Sequence, residues 1–234
     1  MPTKPRIKLN VKLFKTVVQE KLQQTFNDES KKRYRSMLAV IDNLSDSEAP
    51  LNYMFGTNRF EYVWEMLIDR VYGIANKIEY FPKTQWNLNN GCYRNSALEP
   101  DTIMLWNGNI YVLDAKYYKY GATRKPWDLP ESTSINKQIT YGEYIAKHKC
   151  MEKADKSCLV YNAFLMPFDA DGEEVIQHIG EAVSDWKDNN KLYERIQGIL
   201  VDVKYLMKIA CRQESTEIMQ LARCIENAVT ERIE

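Results

Sequence analysis

Histidine is nearly missing from this chain of 234 residues: only His148 and His178 are present. A Cys/His zinc site needs more than two scattered histidines can give, and a Ser-His or Cys-His hydrolase would have to use one of them. The five cysteines, Cys92, Cys150, Cys158, Cys211 and Cys224, are odd in number and never spaced as C-x-x-C. Walker A, G-x-G-x-x-G and G-x-S-x-G sequences are all absent, which removes the usual phosphate-loop, dinucleotide and nucleophile-elbow chemistries. Net charge is absent too: 32 Lys plus Arg offset 32 Asp plus Glu, so any polyanion must be held by local patches. No apolar run approaches the roughly 18 residues that span a bilayer. The opening MPTKPRIKLN is basic without a signal-type apolar core, and a cytoplasmic protein with no membrane partner is expected.

What is present is an ordinary globular composition, 44% hydrophobic and 27% charged, with aromatic mass enough for a core. Residues 1–50 read as a charged N-terminal helical segment, with Met37, Leu38, Ile41 and Leu44 along one face. The polar stretch Ser45 to Pro50 separates it from a second domain, 51–234. There Phe60, Val63, Trp64, Leu67, Val71 and Tyr72 form a buried helical stripe, with Asn58 as N-cap and Glu61 completing a capping box. A Gln-bearing helix is expected over Ser134 to Lys147, strands over Cys158 to Met166 and Ile196 to Val203, and an amphipathic helix over Ser215 to Val229. Glu174 to Asp185 is ambiguous between strand and loop. The order predicts an α/β fold, a mixed β-sheet flanked by helices.

The most informative stretch runs from Leu98 to Lys116. Two apolar strands flank Asn107-Gly108, a strong hairpin signal. A two-residue Asn-Gly loop sets Ile103 opposite Val112 and Asp101 opposite Asp114. A Gly108-Asn109 loop would instead set Asp101 opposite Lys116. Either register leaves Asp101, Asp114 and Lys116 on one face, because side chains alternate along a strand. Carboxylates directly opposite have Cβ atoms roughly 4.5–5.5 Å apart and repel unless one is protonated or a divalent cation lies between them. Mg²⁺ prefers such hard oxygen ligands. The same residues also admit a structural role, with Asp114 and Lys116 as an ion pair at a strand end.

Pro100-Asp101 followed by Asp114-Ala115-Lys116 on an apolar hairpin resembles the signature of the PD-(D/E)xK nuclease superfamily. The stretch Phe55-Gly56-Thr57-Asn58-Arg59-Phe60-Glu61-Tyr62-Val63-Trp64-Glu65 is similar to the helix opening of LlaJI-type restriction endonucleases, which are related to McrBC-like nuclease subunits. The resemblance implies a restriction-endonuclease-like core and a Mg²⁺-dependent endodeoxyribonuclease, with Mn²⁺ as a substitute, serving a restriction–modification system. It implies metal ligation by Asp101, Asp114, the Ala115 carbonyl and Glu61, with Glu65 the rival helix carboxylate. It makes Lys116 the residue that orients the attacking water, and Gln138 a polar partner from the following helix. The sequence departs from the RecB-like Q-x-x-x-Y form, since Tyr141 stands three residues after Gln138 and Gly142 occupies the fourth position.

Tyr118, Lys119, Arg124 and Lys125, in the Tyr/Lys-rich tract after Lys116, are the expected DNA contacts; a solvated basic loop is the alternative. Partners implied are DNA and a homodimer, or an assembly with a methyltransferase or an AAA-type GTPase. Two further readings keep the same core: a DNA-repair or recombination nuclease, and a non-catalytic DNA-binding or assembly subunit.

Overall fold

The computed structural model describes residues 10–45, 57–150, 158–170, 172, 174–210 and 215–230. The chain forms two compact units, Met1–Thr57 and Asn58–Glu234. The expected boundary at Ser45 to Pro50 falls almost wholly outside the described residues.

The first unit holds two helices, α1 (Val11–Gln24) and α2 (Asp28–Ser45). Each starts at an asparagine that satisfies an otherwise orphaned N–H: Asn10 accepts from Leu13 and Asn27 from Ser30, both at 3.0 Å. Lys15 and Asp42 tie the helices together at 2.7 Å. Met37 is exposed, so the apolar stripe read on α2 is turned inward only in part.

The second unit opens with α3 (Phe60–Tyr72), whose Trp64, Ile68, Val71 and Tyr72 are buried as the helical spacing requires. Its N-cap is Arg59 with no side-chain cap bond, so the capping box expected from Asn58 and Glu61 does not form. A small exposed hairpin, β1 (Gln85–Leu88) and β2 (Gly91–Arg94), follows. Next come β3 (Thr102–Trp106), β4 (Asn109–Ala115), a single turn α4 (Tyr120–Thr123) and α5 (Ser132–Ile145). Then β5 (Val160–Phe168), β6 (Ile176–Ala182), β7 (Ile196–Asp202), α6 (Val203–Ile209) and α7 (Ser215–Thr230) complete the described chain. The ambiguous stretch is therefore a strand. Cys150 and Cys158 are joined by a disulfide that the scattered cysteine spacing does not anticipate.

The five-stranded sheet has the order β3-β4-β5-β7-β6. The outer pairs are antiparallel and the two inner pairs parallel, a mixed sheet with helices on both faces. On one face Met104, Tyr111, Leu113 and Leu165 pack with α3, α6 and α7. On the other, Ile103, Ile110 and Val112 pack with Tyr141 and Ile145 of α5, while Phe164 and Met166 pack with Ile139. Adjacent residues of β4 thus serve opposite cores, which is why its sequence is apolar almost throughout. Among the described residues no helix is long and apolar enough to cross a membrane.

Candidate active site

The β3–β4 turn decides the register. Asn107 and Gly108 have φ of 48° and 81°, the paired left-handed residues of a type I′ turn, which Asn-Gly favours. Ile103 accordingly faces Val112, and Thr102 faces Leu113. One step outward, Asp101 meets the end of β4, where Asp114 and Ala115 lie.

Three elements hold Asp101 in place. Lys77, itself paired with Asp69 of α3 at 2.8 Å, donates to the Asp101 carbonyl at 2.5 Å. Tyr141 of α5 donates its hydroxyl to the Glu99 carbonyl at 3.2 Å, pinning the chain just upstream. In the parallel β4–β5 ladder Lys116 N–H goes to the Leu165 carbonyl at 2.9 Å. Alternation then turns the Ala115 amide to the other edge, where its N–H donates to Asp101 Oδ2 at 2.9 Å. The Leu165 carbonyl also accepts Trp64 Nε1–H at 3.0 Å, so α3 and β4 share one anchor.

The two carboxyl groups touch. Burial pushes the Asp101 pKa up to about 7, and the Asp114 charge, a hydrogen bond with Asp114 and the Glu65 charge act in the same direction. The Ala115 N–H opposes them. At neutral pH Asp101 is thus poised between a carboxylic acid and a carboxylate. Asp114 is buried, 4% exposed, and its Oδ2 lies 2.6 Å from Lys116 Nζ. That ammonium also stands 5.9 Å above the Phe164 ring. Asp101, Asp114 and Lys116 are therefore one contiguous group.

Gln138 joins the scaffold on the same face. It is 1% exposed and donates Nε2–H to the Val112 carbonyl at 2.7 Å, two residues before Asp114. Asn162 of β5 returns the contact, donating to the Gln138 and Tyr193 carbonyls at 3.0 and 2.5 Å. A Cβ at Gly142 would meet the Asn162 amide at 2.5 Å and the Tyr193 Cβ at 2.6 Å. Close approach of α5 to the sheet thus demands glycine where a Q-x-x-x-Y pattern would carry tyrosine.

The α3 carboxylate whose charge reaches Asp101 is Glu65, half-buried, with which Asp101 lines a shared cleft. Glu61 is exposed in the first turn of α3. One helical turn separates them, and the stripe by itself does not say which of the two reaches the end of β3. Lys137 and Tyr141 are further neighbours that sequence reasoning missed. The Lys137 pKa is raised, first by its hydrogen bond to Tyr141, and also by the charges of Asp114 and Asp101. Their i, i+4 spacing on α5 is the signal that would have found them.

Of the expected DNA contacts, Tyr118 is half-buried and Lys119 precedes α4. Arg124 is left-handed, lies 5.8 Å above the Phe168 ring and donates to Gln177 at 3.3 Å. Lys125 lies 5.5 Å above the Trp127 ring. The tract continues directly from Lys116, but its cations are spread over separate aromatic supports. Among the described residues no three His, Cys, Asp or Glu side chains cluster closely enough to hold a metal by themselves.

A five-stranded mixed sheet flanked by helices, with a carboxylate pair and a lysine where its antiparallel hairpin ends, is compatible with a restriction-endonuclease-like fold. The chain belongs to the LlaJI restriction endonuclease family, whose model matches residues 4–188. It is similar to the type II restriction enzyme BsuMI component YdjA of Bacillus subtilis (strain 168), 27% identical over 165 residues. That alignment covers 66% of this chain and 34% of the relative, so the match spans about a third of the relative's length.

Proposed function

We propose that this chain is a metal-dependent endodeoxyribonuclease, the restriction endonuclease or nuclease subunit of a restriction–modification system. The observation that carries the reading is the contact between the Asp101 and Asp114 carboxyl groups, with Lys116 Nζ 2.6 Å from Asp114. A half-buried Asp101 carboxyl beside the buried Asp114, sharing one proton, presents hard oxygens that a divalent cation would take over from that proton. Mg²⁺ commonly uses one or two carboxylates and keeps several waters, which two aspartates suffice to provide for. Asp101 and Asp114 would hold it, with the Ala115 carbonyl beside them; Glu65, through water, is better placed than Glu61 to assist. Mn²⁺ meets the same donors. When bound, the cation supplies charge stabilisation at the phosphate and a more acidic water.

The chain's own residues have distinct tasks in this reading. Lys116, aimed by Asp114, orients the attacking water and steadies charge on the phosphate oxygens. Ala115 N–H fixes Asp101, and Gln138 holds β4 through the Val112 carbonyl as a positioning residue. Water adds to phosphorus, the P–O3′ bond breaks, and the departing O3′ takes a proton, leaving 5′-phosphate and 3′-hydroxyl ends. DNA is the substrate, and two such sites, in a homodimer or larger assembly, would cut both strands.

The test is cleavage of plasmid DNA by the purified chain with Mg²⁺ or Mn²⁺, against EDTA and against Lys116→Ala. Metal-dependent nicking or cutting is expected, and Lys116→Ala should abolish it in a variant that is still folded by circular dichroism, though less stable because Asp114 loses its partner. Cutting in excess EDTA, or at the normal rate by Lys116→Ala, contradicts the assignment. A second reading makes the chain one component of a multi-subunit enzyme, favoured by the relative being named a component. Cleavage that appears only when a partner subunit is added selects it.

A further inference from the structure

A cavity of about 490 Å³ opens beyond the C-terminal ends of β4 and β5, within the size range of small-molecule sites. We propose that it receives a single nucleobase unstacked from the DNA strand, adjacent to the phosphate at Lys116; this rests on the nuclease reading above.

Its position follows from the strands. Lys116 and Leu165 are the last pair joined across β4 and β5; beyond them β4 gives way to Tyr117, while β5 runs on through Pro167 and Phe168 beside β7. Alternation sends Lys116 to the face of the carboxylates and Tyr117 to the face of α3. There the Tyr117 ring meets the Phe60 ring, centroids 5.2 Å apart and planes tilted by 45°. Phe168 and Tyr118 add further aromatic wall, and Asp169 with Lys204, paired at 2.7 Å, stand at the rim beside Lys119. The cavity therefore begins one residue after the lysine assigned to the phosphate.

The chemistry of the lining selects the occupant. Tilted aromatic rings offer a π-face to a flat guest, the interaction by which proteins hold splayed bases irrespective of sequence. A purely apolar guest would leave the Asp169–Lys204 rim unused, whereas a base edge carries both donors and acceptors. The attached backbone brings phosphates towards Lys119 and Lys204. Extrusion costs least where a base has no pairing partner, so such a base should be bound preferentially.

The probe is a pair of end-labelled duplexes of one sequence, one fully paired and one with a single adenine opposite an abasic site. Binding is read by fluorescence anisotropy in EDTA, so that nothing is cut. The wild-type chain should prefer the unpaired adenine by roughly tenfold, the scale of one base–aromatic stack. Tyr117→Leu and Phe60→Leu should abolish the preference while leaving affinity for the paired duplex unchanged, and Tyr117→Phe should retain it. Equal affinity of the wild type for both duplexes, in a chain that still cuts with Mg²⁺, overturns the pocket and spares the nuclease reading. So does a preference that survives in both leucine variants. Failure to bind either duplex, together with no cleavage even when a partner subunit is added, overturns both.

Discussion

Asp101 Oδ2 accepts the Ala115 backbone N–H at 2.9 Å while the same carboxyl group hydrogen-bonds Asp114. One residue thereby receives a donor from β4 and faces a like charge on β4. The N–H favours the ionised form, whereas burial and the neighbouring charges favour the acid, and the acid-favouring effects win.

The first prediction is a pH-dependent stability. The folded Asp101 carboxyl has its pKa raised from 3.8 to about 7, so between these values the folded chain binds a proton that the unfolded chain lacks. That contribution is complete below about pH 4 and is lost as pH rises through about 7. Asp101→Asn keeps an acceptor for Ala115 N–H and offers its amide to Asp114, as the protonated acid does. In EDTA the variant should match wild type near pH 4 and melt above it at pH 8. A melting curve with the same pH slope as wild type would remove the carboxyl–carboxyl contact.

The second concerns the cation. Mn²⁺ or Mg²⁺ should raise the wild-type melting temperature by mass action, and more at pH 8 than at pH 6, because binding displaces the Asp101 proton. Asp101→Asn should show little effect at either pH. Equal shifts in wild type and variant would place the ion elsewhere.

The third separates the two helix carboxylates. Glu65→Gln removes a charge that raises the Asp101 pKa and should weaken Mn²⁺ binding roughly tenfold, the scale of an outer-shell partner. Glu61, exposed one turn earlier, should tolerate Glu61→Gln with affinity unchanged. Isothermal titration with Mn²⁺ reads both, and the reverse order of effects would restore Glu61.

The fourth tests Gln138 as scaffold. Gln138→Leu leaves the Val112 carbonyl without its side-chain donor and Asn162 with an apolar neighbour, costing about 1–3 kcal/mol for a buried unsatisfied group. Urea unfolding should show that loss in EDTA as well as with metal. An unchanged midpoint would mean that water replaces the amide.

The lesson for sequence reading lies in which interactions are local. The Asn107-Gly108 turn has its own backbone preference, and a two-residue turn dictates the β3–β4 register, so the Asp101–Asp114 juxtaposition was legible in a stretch of fewer than twenty residues. The α3 and α7 stripes were legible for the same reason, since 3.6-residue periodicity is a property of the segment alone. The Asn58 cap was not, because a cap depends on the chain's approach to the helix, and here Arg59 takes that position. Nor could the sequence show that it is Glu65, and not the Glu61 it favoured, whose charge reaches Asp101: that depends on where α3 and β5 lie relative to β4. The Trp64 and Lys116 bonds to one Leu165 carbonyl set that placement, joining residues 101 and 49 positions apart. The strand order β3-β4-β5-β7-β6 and the demand for glycine at 142 arise likewise only when α5, β5 and the Tyr193 turn converge. Torsional preference and periodicity act between near neighbours and are written in order along the chain. Burial, charge coupling and shared carbonyls act through space, so only the packed fold decides them.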